Sequence, residues 1–253
     1  MLFTVDIGNT NIVLAISDYK NWVNHWRVST ESKRTSDEYY ITIIDLLNYS
    51  DVGIEQIDKC IISSVVPSLT FALEKAIFRI FHKKAILINN EVNTNLDKKS
   101  IPPEIGSDIL SNLVFAHNLY PNDYCTVLDF GTALTCSTVS PEGEIMGVAI
   151  TPGLITSMQA LANSTAKLPI IELKLPKTVL GKDTPSSIRG GIMFGFAGLA
   201  NSLISRTEFE LDHEVKVLVT GGLSSTISKM LNKIDYLNKD LTLDGIKLIA
   251  EKN

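Results

Sequence analysis

The sequence contains no uninterrupted apolar run of about 18 residues, the length that a transmembrane helix requires. It also opens directly into a strand-like segment, without the positively charged leader and short apolar region of a secretory signal. We therefore expect a cytoplasmic protein that does not insert into a membrane.

Cysteine and clustered positive charge are also scarce. The chain has only Cys60, Cys125 and Cys136, an odd number without the spacing of metal ligands, and we expect buried free thiols. The formal net charge is −5, and no run of basic residues is longer than a pair such as Lys98 and Lys99. A disulfide scaffold and an extended nucleic-acid surface are therefore not expected.

The composition is that of a globular protein, since 45% of the 253 residues are hydrophobic and 20% are charged. Strand and helix patterns alternate along the chain, which favours an α/β fold with mixed sheets. The clearest segments are a hairpin over 2–7 and 12–17, a buried strand over 57–66, and helices over 69–81, 108–119 and 186–205. A turn-rich stretch at 120–123 predicts two halves, 1–120 and 121–253.

A short phrase occurs twice, with Asp6 in the first copy and Asp129 in the second. Each copy is an apolar run, then Asp, one apolar residue, Gly, small residues and another β-prone run, which predicts a hairpin with an acid at its turn. An acid at the tip of a buried strand is costly unless it meets a cation or a hydrogen-bond donor. The repeat indicates two halves that hold a charged ligand, although each copy alone could be an ordinary hairpin.

The residues that follow Asp6 suit a phosphate group. Backbone N–H groups near Gly8, with the side chains of Asn9, Thr10 and Asn11, could hold phosphate oxygens. Asp6 could hold Mg²⁺ through water, because Mg²⁺ keeps much of its hydration shell.

Two further pieces could carry chemistry. Gly106, Ser107 and Asp108 open a helix, where Asp108 is either a cap stabilised by the helix dipole or a carboxylate that accepts a proton from a substrate hydroxyl. Gly221 and Gly222 follow a buried strand, and they either let a flat nucleoside lie against the backbone or form a plain strand-to-helix turn.

These pieces occur in the order found in type III pantothenate kinases, and the chain resembles that family from Leu2 to about Leu241. The ordered set is far more specific than any single motif. Its members here are residues 6–11, 63–67, 106–108, 129–133, 150–153, 166–169, 181–184 and 220–222. The resemblance implies the actin-like ATPase superfamily, with two ribonuclease-H-like halves and a nucleotide in the cleft.

The resemblance also implies a reaction and its cofactors. The reaction is ATP-dependent phosphorylation of pantothenate to 4'-phosphopantothenate, the first step of coenzyme A biosynthesis. The cofactors are Mg²⁺ and a monovalent cation such as K⁺ or NH₄⁺, and the assembly is a homodimer with a shared active site.

The resemblance assigns roles by position. Asp6 becomes the metal-associated acid, Asp129 the monovalent-cation ligand and Asp108 the general base. The residues implied for ATP and its phosphates are Gly8, Asn9, Thr10, Asn11, Gly131, Thr132, Gly221 and Gly222. The residues implied for the acceptor are Gly106, Ser107 and Thr184, of which Thr184 would reach into the partner subunit's site.

The stretch before the base departs from the family pattern. Lys99, Ile101 and Ile109 stand where the family has Tyr, Asn and Arg. A guanidinium near the base would bind a substrate carboxylate and isoleucine cannot, so we expect Lys99 to supply the positive charge. Two alternatives follow from this departure: a kinase for a different hydroxyl acceptor, and a catalytically impaired nucleotide-binding regulator.

Overall fold

The computed structural model describes residues 1–253, which form two compact units. The first comprises Met1–Phe115 with Thr242–Asn253, and the second comprises Ala116–Leu241. These bounds differ from 1–120 and 121–253 chiefly at the C-terminus, where the last helix belongs to the first unit. That helix packs closely there, because a Cβ on Gly245 would lie only 2.0 Å from the Ser111 carbonyl oxygen.

The first unit is built on a five-stranded mixed sheet in the order β3-β2-β1-β4-β5. Its strands are β1 (Leu2–Ile7), β2 (Asn11–Ser17), β3 (Trp22–Ser29), β4 (Lys59–Ser64) and β5 (Ile86–Leu87). β1 pairs antiparallel with β2 across a tight hairpin, and it pairs parallel with β4, which returns after a helical crossover.

Three helices begin in this unit: α1 (Ser36–Asn48), α2 (Pro67–Phe81) and α3 (Ser107–Leu119). A capping box starts α1, because Thr35 Oγ1 accepts from the Glu38 N–H while the Glu38 carboxylate accepts from the Thr35 N–H. Apolar residues at helical spacing on α1 and α2 pack against alternate residues of β1. The buried set includes Phe3, Val5, Ile7, Tyr39, Ile43, Leu69, Leu73 and Ile77.

The second unit contains another five-stranded sheet, in the order β10-β9-β6-β7-β8. Its strands are β6 (Tyr124–Phe130), β7 (Ala133–Val139), β8 (Ile145–Pro152), β9 (Val215–Thr220) and β10 (Tyr236–Leu237). Its helices are α4 (Leu154–Asn163), α5 (Thr184–Leu211) and α6 (Ser224–Ile227), and the chain ends with α7 (Leu241–Lys252) in the first unit. Met193, Ala197, Ala200 and Ile204 form the buried stripe of α5.

The two sheets repeat one topology. In each, an antiparallel meander of three strands is flanked by one parallel strand and then by a short two-residue strand. The register irregularity also repeats, at Ile16/Ser17 in the first sheet and at Thr138/Val139 in the second. The duplicated phrase in the sequence therefore corresponds to a duplicated unit, and the predicted α/β fold with two mixed sheets is confirmed.

Most predicted elements are confirmed, with shifted boundaries. The strand expected over 57–66 spans Lys59–Ser64, and the helix expected over 186–205 spans Thr184–Leu211. That helix begins earlier because Asp183 caps it, accepting from the Ser186 N–H at 2.7 Å. The three cysteines are free and buried, as expected. No helix combines the length and apolar character needed to cross a bilayer.

Candidate active site

Asp6 lies at the carboxyl end of β1. In register, it stands between Val13 of β2 and Ser63 of β4. Asp6 is partly buried, and Ser63 Oγ donates a hydrogen bond of 2.9 Å to Asp6 Oδ1. That bond orients the carboxylate at the carboxyl edge of parallel strands, where sheets of this kind bind ligands.

The turn after Asp6 presents short polar side chains to solvent. The Gly8 N–H donates to Asn11 O at 3.0 Å and closes the turn, while Asn9 and Thr10 are exposed. A Cβ on residue 8 would lie 3.1 Å from Asn11 O, so the glycine keeps the turn tight. A tight turn with exposed polar side chains therefore follows Asp6, and its role in holding phosphate stays a prediction.

A chain of buried hydroxyl groups runs from Asp6 to α3. Ser63 Oγ and Ser107 Oγ lie 3.0 Å apart, and the Ser64 N–H donates to Ser107 Oγ at 2.7 Å. Ser63 has one hydroxyl proton, which it gives to Asp6, so Ser107 must donate to Ser63. The hydrogen bonds therefore all point towards Asp6, and they fix the start of the helix that carries Asp108.

Asp108 occupies the first turn of α3 and is partly buried. Burial raises the pKa of its carboxyl above the ordinary value, although the Ile109 N–H, which donates to Asp108 Oδ1 at 2.8 Å, acts to lower it. A Cβ on Gly106 would lie 2.5 Å from Asp108 Oδ1, so a side chain at that position would displace the carboxylate. The result is a poorly solvated carboxylate with a defined orientation, as a general base requires.

The residues that depart from the family pattern are in two different environments. Ile101 and Ile109 are buried, with 5% and 9% of their surfaces exposed. Lys99 is exposed in a short 3₁₀ turn that Asp97 caps through a bond from the Lys99 N–H. The two isoleucines therefore fill the interior of the first unit, and only Lys99 is open to a ligand.

In the second unit, Asp129 lies at the carboxyl end of β6. It stands in register between Thr135 of β7 and Thr220 of β9. Gly221 follows with φ of +96°, and a Cβ there would lie 2.6 Å from both Asp129 Oδ1 and the Phe130 carbonyl carbon. Only glycine fits this close approach, so the backbone at Gly221 packs directly against Asp129.

The turn between β6 and β7 repeats the first turn in shorter form. The Gly131 N–H donates to Ala133 O at 3.1 Å, and the Gly153 N–H donates to Thr132 O at 2.9 Å. A Cβ on Gly222 would meet nothing within 4 Å, so the backbone beyond Gly221 faces open space. The structure thus brings Gly131 and Thr132 to the turn that follows Asp129.

Thr184 lies at the start of α5. It lines a mainly apolar pocket of about 360 Å³ with Leu161, Leu168 and Ile188. Two turns further along α5, Gly191 lines the same pocket. Within the second unit, therefore, the predicted substrate threonine belongs to a surface of α5.

Three residues of these clusters were not predicted as site residues. Ser63 touches Asp6, Thr30 touches the first turn, and Thr156 touches the second turn. Ser63 lies in the 63–67 segment of the ordered motifs, at the end of a buried strand, whereas Thr30 and Thr156 are marked only by a hydroxyl soon after a strand. That signal is common in turns and caps, so sequence reasoning does not single them out.

The side chains near Asp6 and Asp129 offer oxygen ligands for the implied cations. No three His, Cys, Asp or Glu side chains come together as a metal cage. Mg²⁺ does not need one, because it is commonly held by one or two carboxylates, water and substrate phosphates, and Asp6 fits that pattern. Near Asp129, the buried Thr220 hydroxyl has no hydrogen-bond partner within the protein, which leaves an oxygen for a cation or a water molecule.

Comparison with known proteins extends over the whole chain. Residues 2–206 match the family model of type III pantothenate kinase. A type III pantothenate kinase of Geobacillus sp. strain WCH70 is 40% identical over 254 residues, covering 100% of this chain and 98% of that relative. The family model includes Asp6, Asp108, Asp129 and Thr184, whereas Gly221 lies beyond it.

Solved structures share the fold at low sequence identity. A Campylobacter jejuni protein assigned to the Baf family of transcriptional activators is 18% identical, with a TM-score of 0.60 and coverage of 99% of this chain and 98% of that chain. An inorganic polyphosphate/ATP-glucomannokinase from Arthrobacter sp. strain KM is 15% identical, with a TM-score of 0.55 and coverage of 100% and 99%. These similarities support the actin-like ATPase fold.

Proposed function

The chain belongs to the type III pantothenate kinase family, and we propose that it transfers the γ-phosphoryl group of ATP to the primary hydroxyl of pantothenate. The products are ADP and 4'-phosphopantothenate, in the first step of coenzyme A biosynthesis. The observation that carries the proposal is the hydrogen-bonded chain from Asp6 through Ser63 and Ser107 to the start of α3. It joins the acid of a phosphate turn to the helix that bears a candidate base.

We assign the phosphates of ATP to the two turns that follow Asp6 and Asp129. Phosphoryl transfer needs little covalent help from a protein, so alignment and stabilisation of charge supply most of the acceleration. Polar turn residues and backbone N–H groups provide both. The assigned residues are Gly8, Asn9, Thr10, Asn11, Gly131 and Thr132. Gly221 and Gly222 are assigned to the adenosine, because both lack a side chain and the backbone at Gly222 faces open space.

Asp108 is the proposed general base. Its carboxylate accepts the proton of the pantothenate hydroxyl as that oxygen bonds to phosphorus and the bond to ADP breaks. Burial raises its pKa and makes it a better proton acceptor than an exposed Asp. Ser107 is buried and its hydroxyl is used by Ser63 and Ser64, so its side chain positions α3, and Gly106 keeps the carboxylate in place.

Two cations are proposed, one in each unit. Asp6 would hold Mg²⁺ through water, and Asp129 with the unpartnered Thr220 hydroxyl would hold K⁺ or NH₄⁺. When bound, Mg²⁺ offsets the negative charge of the phosphates. Within the chain itself, Ser63 orients Asp6, and the bare backbone of Gly221 packs closely against Asp129.

Lys99 and Thr184 are the residues proposed to contact pantothenate. The family's Arg is replaced by the buried Ile109, so Lys99 is the exposed cation of this stretch and is proposed to face the pantothenate carboxylate. Thr184 is proposed to contact the substrate bound to the partner subunit.

A homodimer is proposed through α5. Gly191, Gly195 and Gly198 lie on the face of α5 that also carries Thr184, and a Cβ on any of these glycines would meet nothing within 4 Å. Phe194 beside them is 39% exposed. A bare, partly apolar helix face suits close packing against a second copy, which would then lie next to Thr184.

Replacing Asp108 with Asn should remove the proton acceptor and preserve its shape. We expect a fall in kcat of about 10²–10⁴-fold, with ATP binding retained. In the wild type, kcat/KM should fall at low pH with an apparent pKa above that of an ordinary Asp. The reason is that the raised pKa of Asp108 makes its carboxyl ionise at higher pH. A coupled ADP-release assay across pH measures both. Asp45→Asn, on the exposed side of α1, is the control, and near wild-type turnover of Asp108→Asn would refute the assignment.

Replacing Asp129 with Asn should weaken the response to monovalent cations. The wild type is expected to be faster in K⁺ than in Na⁺ buffer, and the two rates of the variant should become nearly equal because the anionic ligand is lost. The exposed Asp212→Asn serves as the control in the same unit. An unchanged ratio of rates in K⁺ and Na⁺ would show that Asp129 does not hold the cation.

Replacing Lys99 with Ala should raise the KM for pantothenate about threefold to tenfold and leave the KM for ATP unchanged, since an exposed cation contributes modestly. Lys98→Ala is a matched control, because its ammonium already donates to Glu91 O at 3.1 Å. Steady-state kinetics with each substrate varied measures the effect. Equal KM values in Lys99→Ala and the wild type would exclude Lys99 from the acceptor site.

The dimer predicts a solution mass of about twice the 27.8 kDa of one chain. Gly195→Glu should yield monomers, because a charged side chain would then be buried in the interface. Lys252→Glu, at the exposed end of α7, should remain a dimer. Sedimentation velocity separates these outcomes, and a monomeric wild type would overturn the proposal.

A further inference from the structure

The turn after Asp6 is held from outside by one threonine. Thr30 follows β3 directly, and its hydroxyl donates to Gly8 O at 2.7 Å. Its backbone N–H also donates to Thr10 O at 3.0 Å. Thr30 therefore donates hydrogen bonds to two carbonyl groups of the turn after Asp6, those of Gly8 and Thr10.

The turn after Asp129 is held in the corresponding way by different donors. Thr132 O accepts from the Gly153 N–H at 2.9 Å and from Thr156 Oγ1 at 2.6 Å. Gly153 comes just after β8, and Thr156 lies in the first turn of α4. A Cβ on Gly153 would lie 2.3 Å from Gly131 O, so the contact needs glycine. In both units, the segment after the third strand donates one backbone N–H and one threonine hydroxyl to the turn.

These contacts decide where the N–H groups of each turn point. All peptide bonds here are trans, and in a planar trans peptide the C=O and N–H groups point in opposite directions. Holding Gly8 O towards Thr30 therefore directs the Asn9 N–H away from it. Holding Thr132 O towards Thr156 directs the Ala133 N–H away in the same manner. The donors also cover carbonyl oxygens whose partial negative charge would oppose a phosphate.

We infer that Thr30 and Thr156 are positioning residues that preorganise the two turns for the phosphates of ATP. The inference rests on the proposed function, because that function assigns ATP to these turns. Neither threonine needs to touch the reacting atoms. Loss of either hydroxyl should therefore affect ATP and spare the acceptor, whereas a general loss of stability would affect both substrates.

Thr30→Val and Thr156→Val remove the hydroxyl and keep the branched shape. Each should raise the KM for ATP about threefold to tenfold, with the KM for pantothenate unchanged. Thr30→Ser and Thr156→Ser keep the hydroxyl and should restore the ATP value. Thr42→Val and Thr165→Val are controls, because they remove hydroxyls that donate to helix carbonyls at 2.8 and 3.0 Å.

Calorimetric titration with ADP and Mg²⁺ provides a readout that does not depend on turnover. The valine variants should bind ADP more weakly by a similar factor, while the serine variants and both controls bind normally. Alanine variants supply the same comparison if a valine variant does not fold. A wild type that binds no nucleotide would overturn the proposed function. Normal nucleotide binding by the wild type and by both hydroxyl-deficient variants, or equal changes in both KM values, would overturn the inference alone.

Discussion

Parallel pairing of β1 with β4 is the constraint on which the site of the first unit depends. It sets the carboxyl ends of two buried strands side by side, so that Asp6 meets Ser63 in register. Ser63 and Ser107 then extend this contact to α3. β6 and β9 place Asp129 beside Thr220 in the same way. Backbone pairing brings these groups together, and the hydrogen bond from Ser63 offsets the cost of partly burying Asp6.

Two opposing effects act on the pKa of the Asp108 carboxyl. Its burial disfavours the charged carboxylate, whereas the N–H groups at the start of α3 favour it, and burial has the larger effect on the pKa. A carboxylate with little water around it accepts a proton more readily than an exposed one. The serine chain at the preceding residue limits how far α3 can move, so the proposed base stays in a defined place.

The departure from the family pattern has a simple structural meaning. Ile101 and Ile109 are packed inside the first unit, so both side chains contribute to its apolar interior. Lys99 remains exposed. The chain nevertheless matches a type III pantothenate kinase along its full length.

The sequence by itself determined the local elements, the two acids and the family. Hydrophobic periodicity, the repeated Asp-x-Gly phrase and the order of the motifs are local properties that need no knowledge of the partner strand. Only the tertiary structure decided that α7 returns to the first unit, that Ser63 meets Asp6, and that Thr30 and Thr156 hold the two turns. These contacts join residues far apart in the chain, and a hydroxyl in a sequence does not specify which carbonyl or carboxylate it will meet.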